Sequence, residues 1–135
     1  QFQGDGLLAM FNVPVPDPGH AIHAVRASLE IQQAVRARSF AGHQLNCRIG
    51  LATGEVVAGS VGASERLTFT VYGDTVNLAS RLEQMNKQFG TQVLVHGRTA
   101  ELAEGFPFEG LGEIAVRGRA EPVTVYTIRA ETAAE

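Results

Sequence analysis

The stretch Val71-Tyr72-Gly73-Asp74-Thr75-Val76-Asn77-Leu78-Ala79-Ser80-Arg81-Leu82-Glu83 decides how this chain folds. It reads as a strand end, a tight turn and an amphipathic helix, with Asp74 as the expected N-cap and Gly90 as the terminator. Leu78, Leu82, Met85 and Phe89 recur at helical spacing and form an apolar face. Asn77, Arg81, Gln84 and Gln88 repeat that spacing one residue earlier, about 100° round the helix. Docking a helix requires only the first stripe. An amide and a guanidinium one turn apart, just after a Gly-Asp turn, add a pair suited to phosphate oxygens.

Outward from this helix, residues 68–72 alternate, with Phe69 and Val71 on one face and Thr68, Thr70 and Tyr72 on the other. Residues 45–53 alternate too, Leu45, Cys47, Ile49 and Leu51 against Asn46, Arg48 and Gly50, which predicts a half-buried strand. After Gly54-Glu55, residues 56–61 read as its hairpin partner. Gly4-Asp5-Gly6 is a tight-turn signal. The run Leu7-Leu8-Ala9-Met10-Phe11 lacks polar alternation and predicts a strand covered on both faces. A loop with three prolines then leads to a helix over 21–38. One stripe of that helix is Ile22, Val25 and Leu29; a second is Ala24, Ser28, Ile31 and Val35. Residues 92–96 read as a short strand, 99–103 as a short helix, and 106–116 with 123–128 as a last extended pair. Helices interspersed with hairpins predict an α+β fold: a ferredoxin-like or palm-like mixed sheet with helices packed on it.

The 135 residues suit one domain, 1–135, and the 44% hydrophobic and 19% charged content is that of an ordinary globular protein. A net charge of −3 argues against nucleic acid held by bulk electrostatics. It leaves room for a local basic pocket from Arg66, Arg81, Arg117 and Arg119. Cys47 is the single cysteine, so no intrachain disulfide forms and a reducing compartment fits. Its place in an alternating pattern suits a small buried hydrophobe rather than a reactive thiol. No apolar run reaches membrane-spanning length, so the expectation is a cytoplasmic domain, with any anchor elsewhere in a longer protein. The opening Gln1-Phe2-Gln3-Gly4 reads as if cut inside a strand, and further regulatory domains are expected. His20 and His23 have a spacing that can bind metal, but no third ligand is evident; surface or capping roles are expected for them. His43 and His96 carry no signal.

Three ordered segments carry a resemblance: Phe2-Gln3-Gly4-Asp5-Gly6-Leu7-Leu8-Ala9-Met10-Phe11, Arg48-Ile49-Gly50-Leu51-Ala52-Thr53-Gly54, and Tyr72 through Glu83. They resemble the class III nucleotidyl cyclases, the adenylyl and guanylyl cyclases. The likeness continues through Val116-Arg117-Gly118-Arg119-Ala120-Glu121-Pro122-Val123 and so covers nearly the whole chain. It implies attack of a nucleoside triphosphate 3′-hydroxyl on its own α-phosphorus, with pyrophosphate leaving. It further implies two metal ions, Mg²⁺ or Mn²⁺, and active sites shared across a homodimer or a paired cyclase domain.

By that resemblance Asp5 matches one of two metal-binding aspartates. The other belongs to a first strand upstream of Gln1, so the domain reads as N-terminally incomplete and the isolated fragment as weakly active or inactive. Asn77 and Arg81 match the residues that orient the ribose and stabilise the pentavalent phosphorane. Gln1 stands where adenylyl cyclases carry a purine-reading Lys, and Thr70 where they carry its partner Asp. Threonine there resembles one bacterial-type subclass of adenylyl cyclases. Glutamine both donates and accepts and suits adenine or guanine; ATP is the expected substrate, with GTP left open. Arg117 falls near the family's terminal-phosphate Lys. Arg119, two residues on, can substitute, and each reads equally as a solvated loop charge.

The expected function is therefore synthesis of cyclic AMP. The alternative is a non-catalytic cyclase-homology module for dimerisation or nucleotide-dependent regulation. A diguanylate-cyclase-like enzyme is set aside, because its Gly-Gly-Asp/Glu-Glu-Phe turn is not present.

Overall fold

In a computed structural model of the chain, residues 2–3, 6–39, 41–61 and 68–129 are described. Their centre is a four-stranded mixed sheet of β3 (Ile49–Leu51), β6 (Val93–His96), β8 (Val123–Thr127) and β7 (Glu109–Ile114), in that order. β3 and β6 are parallel; β6–β8 and β8–β7 are antiparallel. Two antiparallel pairs lie outside it: β1 (Phe2–Gln3) with β2 (Gly6–Leu7), and β4 (Val57–Val61) with β5 (Thr68–Tyr72).

The sheet is apolar on both faces, as side-chain alternation along β6 shows. Val93 and Val95 are buried with Ala21 and Val25 of α1 (His20–Ala37) and with Ala103, just after α3 (Gly97–Leu102). Leu94 points the other way, into a second cluster with Leu78 and Leu82 of α2 (Asp74–Phe89) and with Val116, Val123 and Val125. Alternate residues of one strand thus reach two helix layers. The fold is α+β, with helices packed on a mixed sheet as the sequence predicts.

Helix α2 lies directly on β3, and Gly50 makes this possible. A Cβ at Gly50 would collide with the Ala79 carbonyl oxygen and the Glu83 amide nitrogen, both helix backbone. Asn86, fully buried, fastens the contact from the helix side. Its Nδ2 donates to the Ile49 carbonyl (3.0 Å), and its Oδ1 accepts from the Thr91 hydroxyl (2.7 Å). On the opposite layer, buried Gln32 of α1 donates Nε2 to the Cys47 carbonyl (2.8 Å). Two amides from two helices therefore hold the entry to β3, where buried carbonyls need partners. Gly90 takes a left-handed φ of 66° and closes α2.

Several sequence expectations are corrected. The strand expected over 45–53 is formed only at 49–51. Leu45 is exposed, and the segment before β3 is held by side-chain amides rather than by a ladder. Residues 57–61 pair with 68–72, not with the 45–53 segment, because β3 runs parallel to β6 instead. The run from Leu7 to Phe11 is strand only at its start. Leu7 is 63% exposed, since among the described residues β2 has β1 as its one strand partner. In α1 the first stripe needs no correction, since Val25 is buried and Ile22 and Leu29 pack on the core, while Ile31 of the second stripe is exposed and Ser28 is buried. Asp74 is the first residue of α2 rather than its cap, and the cap position, Gly73, supplies no side chain.

Gly50→Ala should destabilise the fold by about 3 kcal/mol, because the displaced partner is helix backbone and not a flexible side chain. Asn86→Ala should cost about 2 kcal/mol by stranding buried polar groups. Gly59→Ala is the control, as nothing lies within 4 Å of an added Cβ there. Urea unfolding of the three variants measures the differences; equal values for Gly50→Ala and Gly59→Ala would contradict this account.

Candidate active site

The second stripe of α2 faces a turn that follows β7. Val116 is buried in the core cluster under α2, which pins the turn. The Arg119 amide donates to the Val116 carbonyl (3.0 Å), and Gly118 takes φ 90°, a left-handed value suited to glycine. Arg117 and Arg119 are thereby carried to the first two turns of α2. A cleft of about 90 Å³ results, lined by Asp74, Asn77, Leu78, Arg81, Val116, Arg117, Gly118 and Arg119.

Three guanidinium groups and one carboxamide thus converge on one opening, with a single carboxylate among them. Arg119 donates Nη1 to Asp74 Oδ2 at 2.7 Å. Asn77 is exposed and Arg81 half-buried at the rim. Such a surface has the chemistry to receive phosphate groups, for which arginine offers several fixed donors. Small-molecule sites commonly enclose about 300 Å³ or more, so this cleft by itself is too small to enclose a nucleotide.

The loop before β4 is fitted against the start of α2. Thr75 donates its hydroxyl to the Glu55 carbonyl (2.9 Å), and a Cβ at Gly54 would run into the Thr75 hydroxyl. On its other side the loop meets the end of β6. The Thr53 and Thr99 hydroxyls share a hydrogen bond of 2.7 Å, and the Thr53 amide donates to His96 Nδ1 over a long 3.4 Å. Burial pushes the His96 imidazole below its usual range, and the nearby Arg119 cation adds to this.

Asn77, Arg81 and Arg117, singled out in the sequence, are brought together, and Arg119 joins them. Gln1, Asp5 and Arg66, and the Thr70 side chain, lie outside the described residues. His23 is engaged by Asp17 (Nδ1 to Oδ2, 2.6 Å), whose other oxygen accepts from the Gly19 amide. That pairing is local loop structure. Cys47 is half-buried and its thiol is pushed up by burial, which suits an inert side chain. The reading of 116–119 from sequence left open whether its arginines faced solvent. What it missed was Asp74 as the partner of Arg119 across 45 residues.

The family model described as the adenylate and guanylate cyclase catalytic domain matches residues 1–130. The chain belongs to this cyclase family. Adenylate cyclase 1 of Rhizobium meliloti is 42% identical over 134 residues, covering 95% of this chain and 20% of that protein. This chain thus spans about a fifth of that curated relative. Among solved structures, the guanylyl cyclase Cya2 superposes with a TM-score of 0.80 at 28% identity, covering 98% of this chain and 70% of that one. The guanylate cyclase domain of RhGC from Catenaria anguillulae, in complex with GTP, gives 0.74 at 28% identity, covering 90% and 66%.

Divalent metal use is general in this family. Among the described residues, no three His, Cys, Asp or Glu side chains converge as a metal cluster. The one carboxylate lining the cleft, Asp74, is held by Arg119, and cations dominate around it. The lining of this cleft therefore suits an anion such as phosphate and does not suit a metal ion.

His96 gives the domain a pH signature. A histidine kept neutral by burial leaves stability intact above its unfolded value of 6.5 and lowers it as pH falls below that. The melting temperature should drop between pH 7.5 and 5.5, and His96→Asn, which keeps an acceptor for Thr53, should flatten the drop. Parallel curves for the two proteins in calorimetry would show that His96 is not the group responsible.

Proposed function

We propose that residues 1–135 form one cyclase domain unit that converts ATP to cyclic AMP and pyrophosphate. The observation that carries this reading is the convergence of Asn77, Arg81, Arg117 and Arg119 on one cleft walled by α2 and the 116–119 turn. The relatives add support: the Rhizobium protein bears the name adenylate cyclase, and the Catenaria domain was solved with GTP.

In the reaction the ribose O3′–Pα bond forms as the bond from Pα to the bridging β-phosphate oxygen breaks, and the 3′-hydroxyl proton departs to solvent. Asn77 orients the ribose through its amide. Arg81, one turn on, donates to the equatorial oxygens of the phosphorane, where charge concentrates as the new bond forms. Arg117 and Arg119 hold the terminal phosphates, so the departing pyrophosphate leaves onto cations already in place. Both rows stand on elements packed into the core, which holds their separation during the reaction.

Asp5 is the proposed metal carboxylate, for Mg²⁺ or Mn²⁺, and no step above is routed through it. Gln1 and Thr70 are the proposed contacts to the base. With ATP and GTP as alternatives, ATP is favoured by the threonine at position 70 and by the name of the Rhizobium relative. The small volume of the cleft favours a site completed by a second cyclase domain, in a homodimer or a pair. Asp5 and the Asn77–Arg81 pair of one chain would then serve different sites.

In the protein carrying its native flanking sequence, Arg81→Ala should lower kcat about a hundredfold or more. Asp5→Ala should be similarly impaired, and mixing the two variants should restore activity at one of the two shared sites. Proven heterodimers without recovery would overturn the shared site. No cyclic product from ATP or GTP, with nucleotide still bound, would favour the non-catalytic module instead.

A further inference from the structure

The Asp74–Arg119 pair bridges the two walls of the cleft, the first residue of α2 and the turn after β7. The two partners are unequally held. Arg119 belongs to a turn fixed by its own amide, by the left-handed Gly118 and by buried Val116, and its side chain is 30% exposed. Asp74 contributes no cap to α2, and its side chain is 65% exposed. The turn thus has anchors besides the ion pair, and the carboxylate is the more exposed of the two partners.

A guanidinium has five N–H donors in a fixed fork, and the Asp74 contact employs Nη1 alone. A phosphate oxygen accepts from a guanidinium fork by the same kind of hydrogen bond that the Asp74 carboxylate makes. An exposed ion pair contributes little, whereas a polyphosphate brings several charges and several acceptors to three arginines. We propose that Asp74 is a built-in substitute for phosphate. Its carboxylate occupies Arg119 while the cleft is empty, yields to a polyphosphate oxygen on binding, and thereby sets how tightly the site holds polyphosphate. This rests on the reading of the cleft as a triphosphate site.

A carboxylate at the first turn of a helix is favoured by the helix dipole, so the substitute is retained at little cost when displaced. Its remaining charge opposes the incoming anion, which weakens binding and speeds release of pyrophosphate. If Asp74 instead served to position the turn, its removal would weaken binding.

The test is calorimetric titration of inorganic tripolyphosphate into the wild-type chain, Asp74→Asn, Arg119→Gln and the double variant. Asp74→Asn keeps shape and suits a helix start, so it should fold as wild type, checked by circular dichroism; Asp74→Ser serves as a second variant. Asp74→Asn should bind about threefold to tenfold tighter, the size expected for removing one exposed ion pair and one repulsive charge. Arg119→Gln should bind more weakly, and the gain from Asp74→Asn should shrink in its background. Wild-type binding with Asp74→Asn unchanged or weaker would overturn the role of Asp74 alone. No tripolyphosphate binding by either protein would overturn both this proposal and the phosphate reading of the cleft.

Discussion

The close seat of α2 on β3 is the constraint on which the described structure depends. Helix and strand backbones meet at Gly50 with no side chain between them, and buried Asn86 bonds across the contact to Ile49. An ordinary side chain at position 50 would lift the helix off the sheet. Leu78 and Leu82 would then lose their places against Leu94 and Val125, which are buried only because the helix lies this low. The same cluster holds Val116. Lifting α2 would therefore loosen the turn that carries Arg117 and Arg119 as well as the helix that carries Asn77 and Arg81.

This shared anchoring links stability to chemistry. The cleft is walled by one helix and one turn, and both are tied to a single apolar cluster. Phosphoryl transfer demands little covalent participation from the protein and much positional accuracy from its charges. A rigid helix register fixes Asn77 and Arg81 one turn apart, and Val116 sets the distance to the facing arginines. The loop holding Thr53 and Glu55 is bonded to both Thr75 and Thr99 of α3, so it braces the start of α2 from outside. The site is accordingly built as an extension of the core.

The legible parts of the sequence were those with a strong period. The start of the α2 stripe, the extent of α1, the short β6 and the final β7–β8 pair follow from spacing, because burial dictates where apolar residues recur. The end of that stripe does not, since Phe89 is exposed and Asn86 takes the buried place beside Leu78 and Leu82. The misread parts share a cause. Residues 45–48 alternate like a strand, yet the partner needed for a ladder is replaced by the Gln32 amide, a contact between positions 15 apart that periodicity cannot encode. Residues 57–61 follow 45–53 closely in sequence, but parallel pairing of β3 with β6 sends them to β5. Asp74 fits the composition of an N-cap, and only tertiary structure supplies Arg119 as a competing partner. In the cleft, Asn77 and Arg81 were readable because they stand outside the apolar stripe. The arginines of the turn were ambiguous because a loop has no period to violate.

Charge balance explains why the cleft holds one acid among three guanidinium groups. Like charges gathered at one opening repel each other, and the repulsion grows as the apolar floor of Leu78 and Val116 excludes water. Asp74 offsets part of that repulsion at a position where the helix dipole already favours an anion. A carboxylate deeper in the cleft would offset it better but would block the phosphate permanently. One at the rim, 65% exposed, relieves the cations while staying hydrated enough to withdraw. The placement of Asp74 therefore reconciles two opposed requirements, a cleft that is stable when empty and cationic when occupied.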